Sequence, residues 1–159
     1  MTARVVAVVA TLAVALMLAM LPLPELVQPL RPDWVTMVVL YWAIALQPRF
    51  GLAVPFGAGL LLDVAQGTLL GQNALGTLLA AAFVMHHHQR MRVYPLTQQA
   101  VVVALLLAAK QALVLWTSGL AGRAPDDPWP FFGGPALALV FWPVVFVLLR
   151  DLRRRYQIA

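Results

Sequence analysis

The sequence predicts an all-α polytopic membrane protein of six transmembrane helices with both termini on the inner side. Three observations carry this. The 159 residues are 62% hydrophobic and only 11% charged, against roughly half apolar and about a quarter charged in ordinary soluble domains. Six spans of about 20 residues use about 120 of the chain, which leaves only tails and loops outside. The basic residues also fall in alternate connections, as a retained inner surface requires. One membrane domain, residues 1–159, is therefore expected. No room remains for a soluble catalytic, nucleotide-binding or receptor domain.

The elements follow in chain order. Arg4 leads the apolar run from Val5 to Leu21, giving a first helix over about 5–21. One basic residue before an apolar run also fits a signal peptide, but the small-residue cleavage pattern is poor, so a retained helix is preferred. Pro22, Pro24, Pro29 and Pro32 prevent its continuation. The second helix is expected over about 32–47 and ends at Pro48-Arg49. The third, over about 50–65, carries Pro55, Gly57 and Gly59. Both runs are short for an upright span; local thinning or a re-entrant hairpin would accommodate them. The fourth covers about 69–86 and stops at His86-His87-His88-Gln89-Arg90. The fifth covers about 97–117, with Lys110 and Gln111 inside it. A proline-rich polar loop separates it from the sixth, over about 134–150, which contains Pro143 and ends in Arg150, Arg153, Arg154 and Arg155. Pro55 and Pro143 are expected to bend their helices and expose grooves.

Charge tests the topology. With the N-terminus inside, Arg4, Arg49, Arg90, Arg92, Arg150, Arg153, Arg154 and Arg155 fall inside, whereas Arg31 and Arg123 fall outside. Trp34, Trp116 and Trp129 mark the outer interface, and Tyr94 and Tyr156 the inner one. The net charge of +5 is read as orientation, not as affinity for nucleic acid. With no cysteine in the chain, disulfides, thiol catalysis and cysteine-ligated metals are excluded.

Asp63 and Lys110 demand explanation, because an intramembrane charge costs several kcal/mol unless it is paired or wet. Asp63 near the outer end of helix three is read as a substrate or partner site, or as a carboxylate capping helix four or pairing with a cation. Lys110 is the expected partner, in an ion pair between helices three and five. Gln72, Asn73 and Gln111 would extend that cluster. Gly67 and Gly71 form a GxxxG spacing that predicts close packing of helices three and four. Gly51, Ala53, Gly57 and Gly59 offer a smooth face on helix three for packing against another helix. The histidine triplet resembles a metal site, but adjacent helical side chains point about 100° apart, so a basic interfacial stretch is preferred. It joins Arg90 and Arg92, and the Arg150–Arg155 cluster, in facing anionic lipid or a cytoplasmic partner. No metal or other cofactor is expected. The chain has no GxSxG, HExxH or Walker pattern, and its only serine is Ser118. No enzyme is predicted.

The stretches Arg31-Pro32-Asp33-Trp34-Val35, Gly59-Leu60-Leu61-Leu62-Asp63-Val64 and Gly67-Thr68-Leu69-Leu70-Gly71-Gln72-Asn73-Ala74-Leu75 resemble the MreD family of rod shape-determining membrane proteins. His88-Gln89-Arg90, Tyr94-Pro95 and the basic C-terminus are similar to its proteobacterial branch. The resemblance covers about Pro32 to Arg155 and carries over Pro32, Asp33, Asp63, Gly67 and Gly71. It implies a non-enzymatic inner-membrane component of the cell-elongation machinery that builds peptidoglycan. The implied partners are MreC directly, with MreB, the glycosyltransferase RodA and its class B penicillin-binding transpeptidase in the same complex. The implied fold looks like the substrate-capture subunit of energy-coupling-factor transporters. The competing expectation is a small-molecule-binding subunit of an uptake transporter, with an outer-side pocket near Asp63, Asn73, Lys110 and Trp116.

Overall fold

The computed structural model describes residues 2–46 and 49–157, and these are helical with no strand among them. Seven α-helices run in order: α1 Thr2–Met20, α2 Trp34–Ala45, α3 Ala53–Gln66, α4 Gln72–His86, α5 His88–Val93, α6 Leu96–Leu120 and α7 Gly133–Arg155. Helices lie on all six apolar runs, and α5 is an additional short one. The expected break at Pro48 lies outside the described residues; next to it, the Arg49 N–H donates to the Leu46 carbonyl. Among the described residues, three segments are long and apolar enough to cross a membrane: Thr2–Met20, Leu96–Leu120 and Trp129–Arg155.

Burial explains why α2 is so short. Every residue from Val35 to Ile44 is buried, so this 12-residue helix, about 18 Å long, is enclosed by the others. A helix apolar on all sides belongs in a bundle centre. Trp42 and Tyr41 pack edge to face there, and the Trp42 indole N–H donates to Thr11 of α1. By contrast α1 leaves Val5, Val6, Val9 and Met17 exposed, as a lipid-facing helix would.

The helices α3 and α4 form a tight antiparallel pair, as do α6 and α7. The first pair depends on Gly59. A Cβ there would overlap backbone atoms of Asn73 and Ala74, so only glycine permits this approach. Pro55 occupies the first turn of α3, where the missing N–H has no helical acceptor to lose. It therefore ends no hydrogen-bond ladder, contrary to the bend expected there. Pro143 does lie inside α7.

At one end of the bundle, Arg92 holds α2. Its Nε donates to the Ile44 carbonyl at 3.0 Å, supplying a donor to a helix C-terminus whose last carbonyls have none within the helix. The Gln99 amide donates to the Met91 carbonyl, joining the start of α6 to α5.

Candidate functional site

Apart from Gln99, the buried polar residues gather at the opposite end of the bundle, most of them in two separate clusters. In the first, Asp33 is the N-cap of α2 and accepts from the Thr36 backbone N–H at 3.2 Å. The sequence places a carboxylate three residues before a threonine at a helix start, a spacing that satisfies the free N–H groups of the first turn. Its second oxygen accepts from Thr36 Oγ1 at 2.8 Å and from Lys110 Nζ at 2.5 Å. Lys110 also donates to Thr36 Oγ1 at 2.7 Å, and Thr36 and Thr77 hydroxyls meet at 3.4 Å. The Lys110 side chain is 3% exposed and that of Asp33 26%, so the pair is largely removed from solvent.

The expected Asp63–Lys110 ion pair is thus replaced by Asp33–Lys110. The reason is neighbourhood: α6 packs against α4 and reaches the start of α2. The Lys110 stem crosses α4 at Gly76, where a Cβ would overlap Lys110 Cγ at 2.6 Å.

Asp63 forms the second cluster. It is fully buried and serves as a distant cap for α4. Its carboxylate accepts from the backbone N–H groups of Gly71 at 2.9 Å, Asn73 at 2.9 Å and Ala74 at 3.3 Å. The Thr68 hydroxyl donates to it at 2.7 Å. A carboxylate at a helix N-terminus also faces the positive end of the helix dipole. Asp63 therefore holds α3 to α4 through backbone groups and needs no cation.

The two glycines of the GxxxG spacing act through backbone conformation, not close packing. Gly67 ends α3 with φ 65° and Gly71 precedes α4 with φ 95°, both in the left-handed region where glycine alone is unstrained. A Cβ on either would meet open space. The close approach attributed to them belongs to Gly59. The expected smooth face divides accordingly: Gly51 and Gly57 face open space, while Gly59 turns inward to α4.

Gln72 completes the wall, its Nε2 within hydrogen-bond distance of the Val114 carbonyl and the Thr117 and Ser118 hydroxyls of α6. Around it lies a cavity of about 700 Å³, formed by the ends of α1, α3 and α6 and the starts of α2 and α4. Asp33, Asn73 and Gln111 line it together with Arg31 and Arg123. Asp63, Lys110 and Trp116 stand outside its lining. Arg31 is not among the site residues expected from the sequence, yet it sits between elements: its guanidinium donates to the Ala19 and Leu21 carbonyls at the end of α1.

At the other end, His87 and His88 turn their Nδ1 atoms to the Phe83 and Met85 carbonyls, at 3.0 and 2.8 Å. Among the described residues, no three of His, Cys, Asp or Glu converge on one point. Arg90, Arg154 and Arg155 are exposed and Arg150 and Arg153 half-buried; Arg92 is tied to α2 rather than free for a partner.

The family model described as rod shape-determining protein MreD matches residues 1–152. The Rod shape-determining protein MreD of Haemophilus influenzae is 26% identical over 145 residues, covering 91% of this chain and 89% of that relative. No solved structure matches the chain.

Proposed function

The chain belongs to the rod shape-determining protein MreD family, and on that premise we propose that it is a non-enzymatic scaffold of the cell-elongation machinery in the bacterial inner membrane. The observation that carries this reading is the family match over residues 1–152, which takes in all of the helices except the last three residues of α7. The chain is a rod shape-determining membrane component; the finer assignments follow from physical fit. Six crossings with both termini inside put the Arg90–Arg92 and Arg150–Arg155 clusters on one basic inner surface. In this reading the fold is of the substrate-capture kind and serves assembly.

MreC is the direct partner in this reading, with MreB, RodA and the class B transpeptidase joining through the complex. Helix α3 offers a suitable flank. Gly51 and Gly57 are open to added atoms, and Phe56, Leu61 and Val64 are exposed beside them. Small residues let a partner helix approach closely in lipid, where association depends on packing. Tagged chain should co-purify with MreC from gently solubilised membranes, and Gly57→Leu should reduce recovery of MreC while leaving the chain folded. Recovery of the wild-type chain without MreC would overturn the scaffold reading.

The second reading is an uptake-transporter binding subunit, favoured by the cavity of about 700 Å³, a size typical of small-ligand sites. Such a subunit should retain a soluble solute through purification, and loss of that solute should leave cell shape intact.

A further inference from the structure

The cavity at the Asp33 end of the bundle has a charge that the scaffold reading does not use. Asp33 is its carboxylate, and that group is committed to Lys110. Asp63 is spent on the α4 backbone. Two cationic side chains line the cavity, Arg31 and Arg123, and neither forms an ion pair among the described residues. Arg31 is held in place by carbonyls of α1, while its Nε is buried without a hydrogen-bond partner. A buried donor left unpaired is costly, and a ligand acceptor would relieve it.

The walls are amphipathic. Gln66 and Gln111 bring amides that can both donate to and accept from hydroxyl groups. Leu23 and Leu115 contribute apolar surface to the same space. Guanidinium groups match phosphate oxygens in shape as well as charge. Hydroxyl-reading amides and leucines beside them fit a phosphodiester with a short polyol and an acyl-bearing stem.

We propose that this cavity binds the phosphate-bearing headgroup of an anionic lipid, with Arg31 and Arg123 on the phosphate. Access from the bilayer rests on the membrane-spanning arrangement proposed above, but the binding does not depend on MreC. Failure of lipid binding and failure of the scaffold reading are therefore separable by experiment.

The full chain, purified in a neutral detergent, would be titrated with phosphatidylglycerol, with phosphatidylcholine and with soluble glycerol phosphate, and its thermal unfolding followed. Phosphatidylglycerol should raise the midpoint, because a ligand of the folded state stabilises it; phosphatidylcholine should not. Arg123→Gln should weaken the phosphatidylglycerol effect about tenfold, the loss expected for one charge-assisted hydrogen bond. Arg155→Gln, at the other end of the bundle, should leave it unchanged. Arg123 is exposed, so its replacement spares folding where Arg31→Gln endangers the α1 tether. Equal effects of the two lipids, an unaffected Arg123→Gln variant, or loss in Arg155→Gln would overturn the proposal. Glycerol phosphate matching phosphatidylglycerol in midpoint shift at equal concentration would assign the site to a soluble phosphoester and overturn the lipid.

Discussion

Lys110 Nζ lies 2.5 Å from Asp33 Oδ2, so a single ammonium on α6 fastens the first turn of α2, the helix at the bundle centre. The pair is backed by Thr36, which receives Lys110 and donates to Asp33. Breaking a buried pair by removing one member leaves the other uncompensated, which costs about 3–5 kcal/mol. Lys110→Met should therefore lower thermal stability in detergent by about 3 kcal/mol, toward the lower bound because Asp33 keeps some exposure. Asp33→Asn should cost at least as much: its amide oxygen still caps Thr36, but the Lys110 ammonium, the more buried of the two charges, loses its carboxylate. In the double variant the losses should be strongly non-additive; additive losses would show that the two side chains act independently.

Asp63→Ala should be damaging for a different reason. It removes the acceptor of three backbone N–H groups at the start of α4 and strands them in a buried place. Loss of an N-cap alone costs about 1 kcal/mol, and buried unsatisfied donors raise that to about 3 kcal/mol here. Hydrogen exchange at Gly71, Asn73 and Ala74 gives the direct reading: these amides should lose protection first. Unchanged exchange would contradict the capping role. Lys110→Met should leave the same amides protected, which separates the two clusters.

Glycines on α3 provide a packing test. Gly59→Ala places a methyl group into the backbone of Asn73 and Ala74, which cannot yield as a flexible side chain can, so a loss of about 3 kcal/mol is expected, at the upper end for overpacking. Gly57→Ala meets open space and should stabilise the helix slightly, by about 0.5–1 kcal/mol. Comparing melting points of the two variants checks the assignment. Equal effects would mean that α3 is rotated from the orientation described.

Much of this architecture is legible in the sequence. The apolar runs mark the helices because lipid or a bundle core excludes polar chain over such lengths. Asp63 is recognisable as a cap, since Gly67 and Gly71 frame a turn directly after it. Its supposed partner is not, and the reason is geometric. Sequence gives Lys110 a depth along its helix but not the helix it faces. That choice is made by Gly76, whose missing side chain opens a path for the Lys110 stem toward Asp33. The clue was present: Asp33 stands three residues before Thr36, at the start of an apolar run and at the same end of the bundle. The brevity of α2 likewise reads as a spanning difficulty until its enclosure on every side is seen. A pocket at this end is expected in the transporter alternative, and Asn73 does line the cavity, but its remaining lining and the place of Arg31 are not legible, because they join segments distant in sequence and no periodicity reports that.

The spacing Gly67-x-x-x-Gly71 invites a packing interpretation, and a substitution series separates it from the conformational one. Both residues hold positive φ, 65° and 95°, with open space where a Cβ would stand. Left-handed backbone costs an ordinary residue about 1–2 kcal/mol, and asparagine tolerates it better than alanine. Gly67→Ala should therefore destabilise by about 1 kcal/mol, and the bulkier Gly67→Asn should destabilise less. A packing role predicts the reverse order, because the larger side chain would intrude more. Gly67 lies at the end of α3, where its N–H caps the carbonyls of Asp63 and Val64, so the cost should appear as fraying of that last turn. Thermal melts of the two variants, read beside exchange at Gly67 and Thr68, decide between the accounts. If asparagine proves worse than alanine, the glycine is there for space and the turn conformation is incidental.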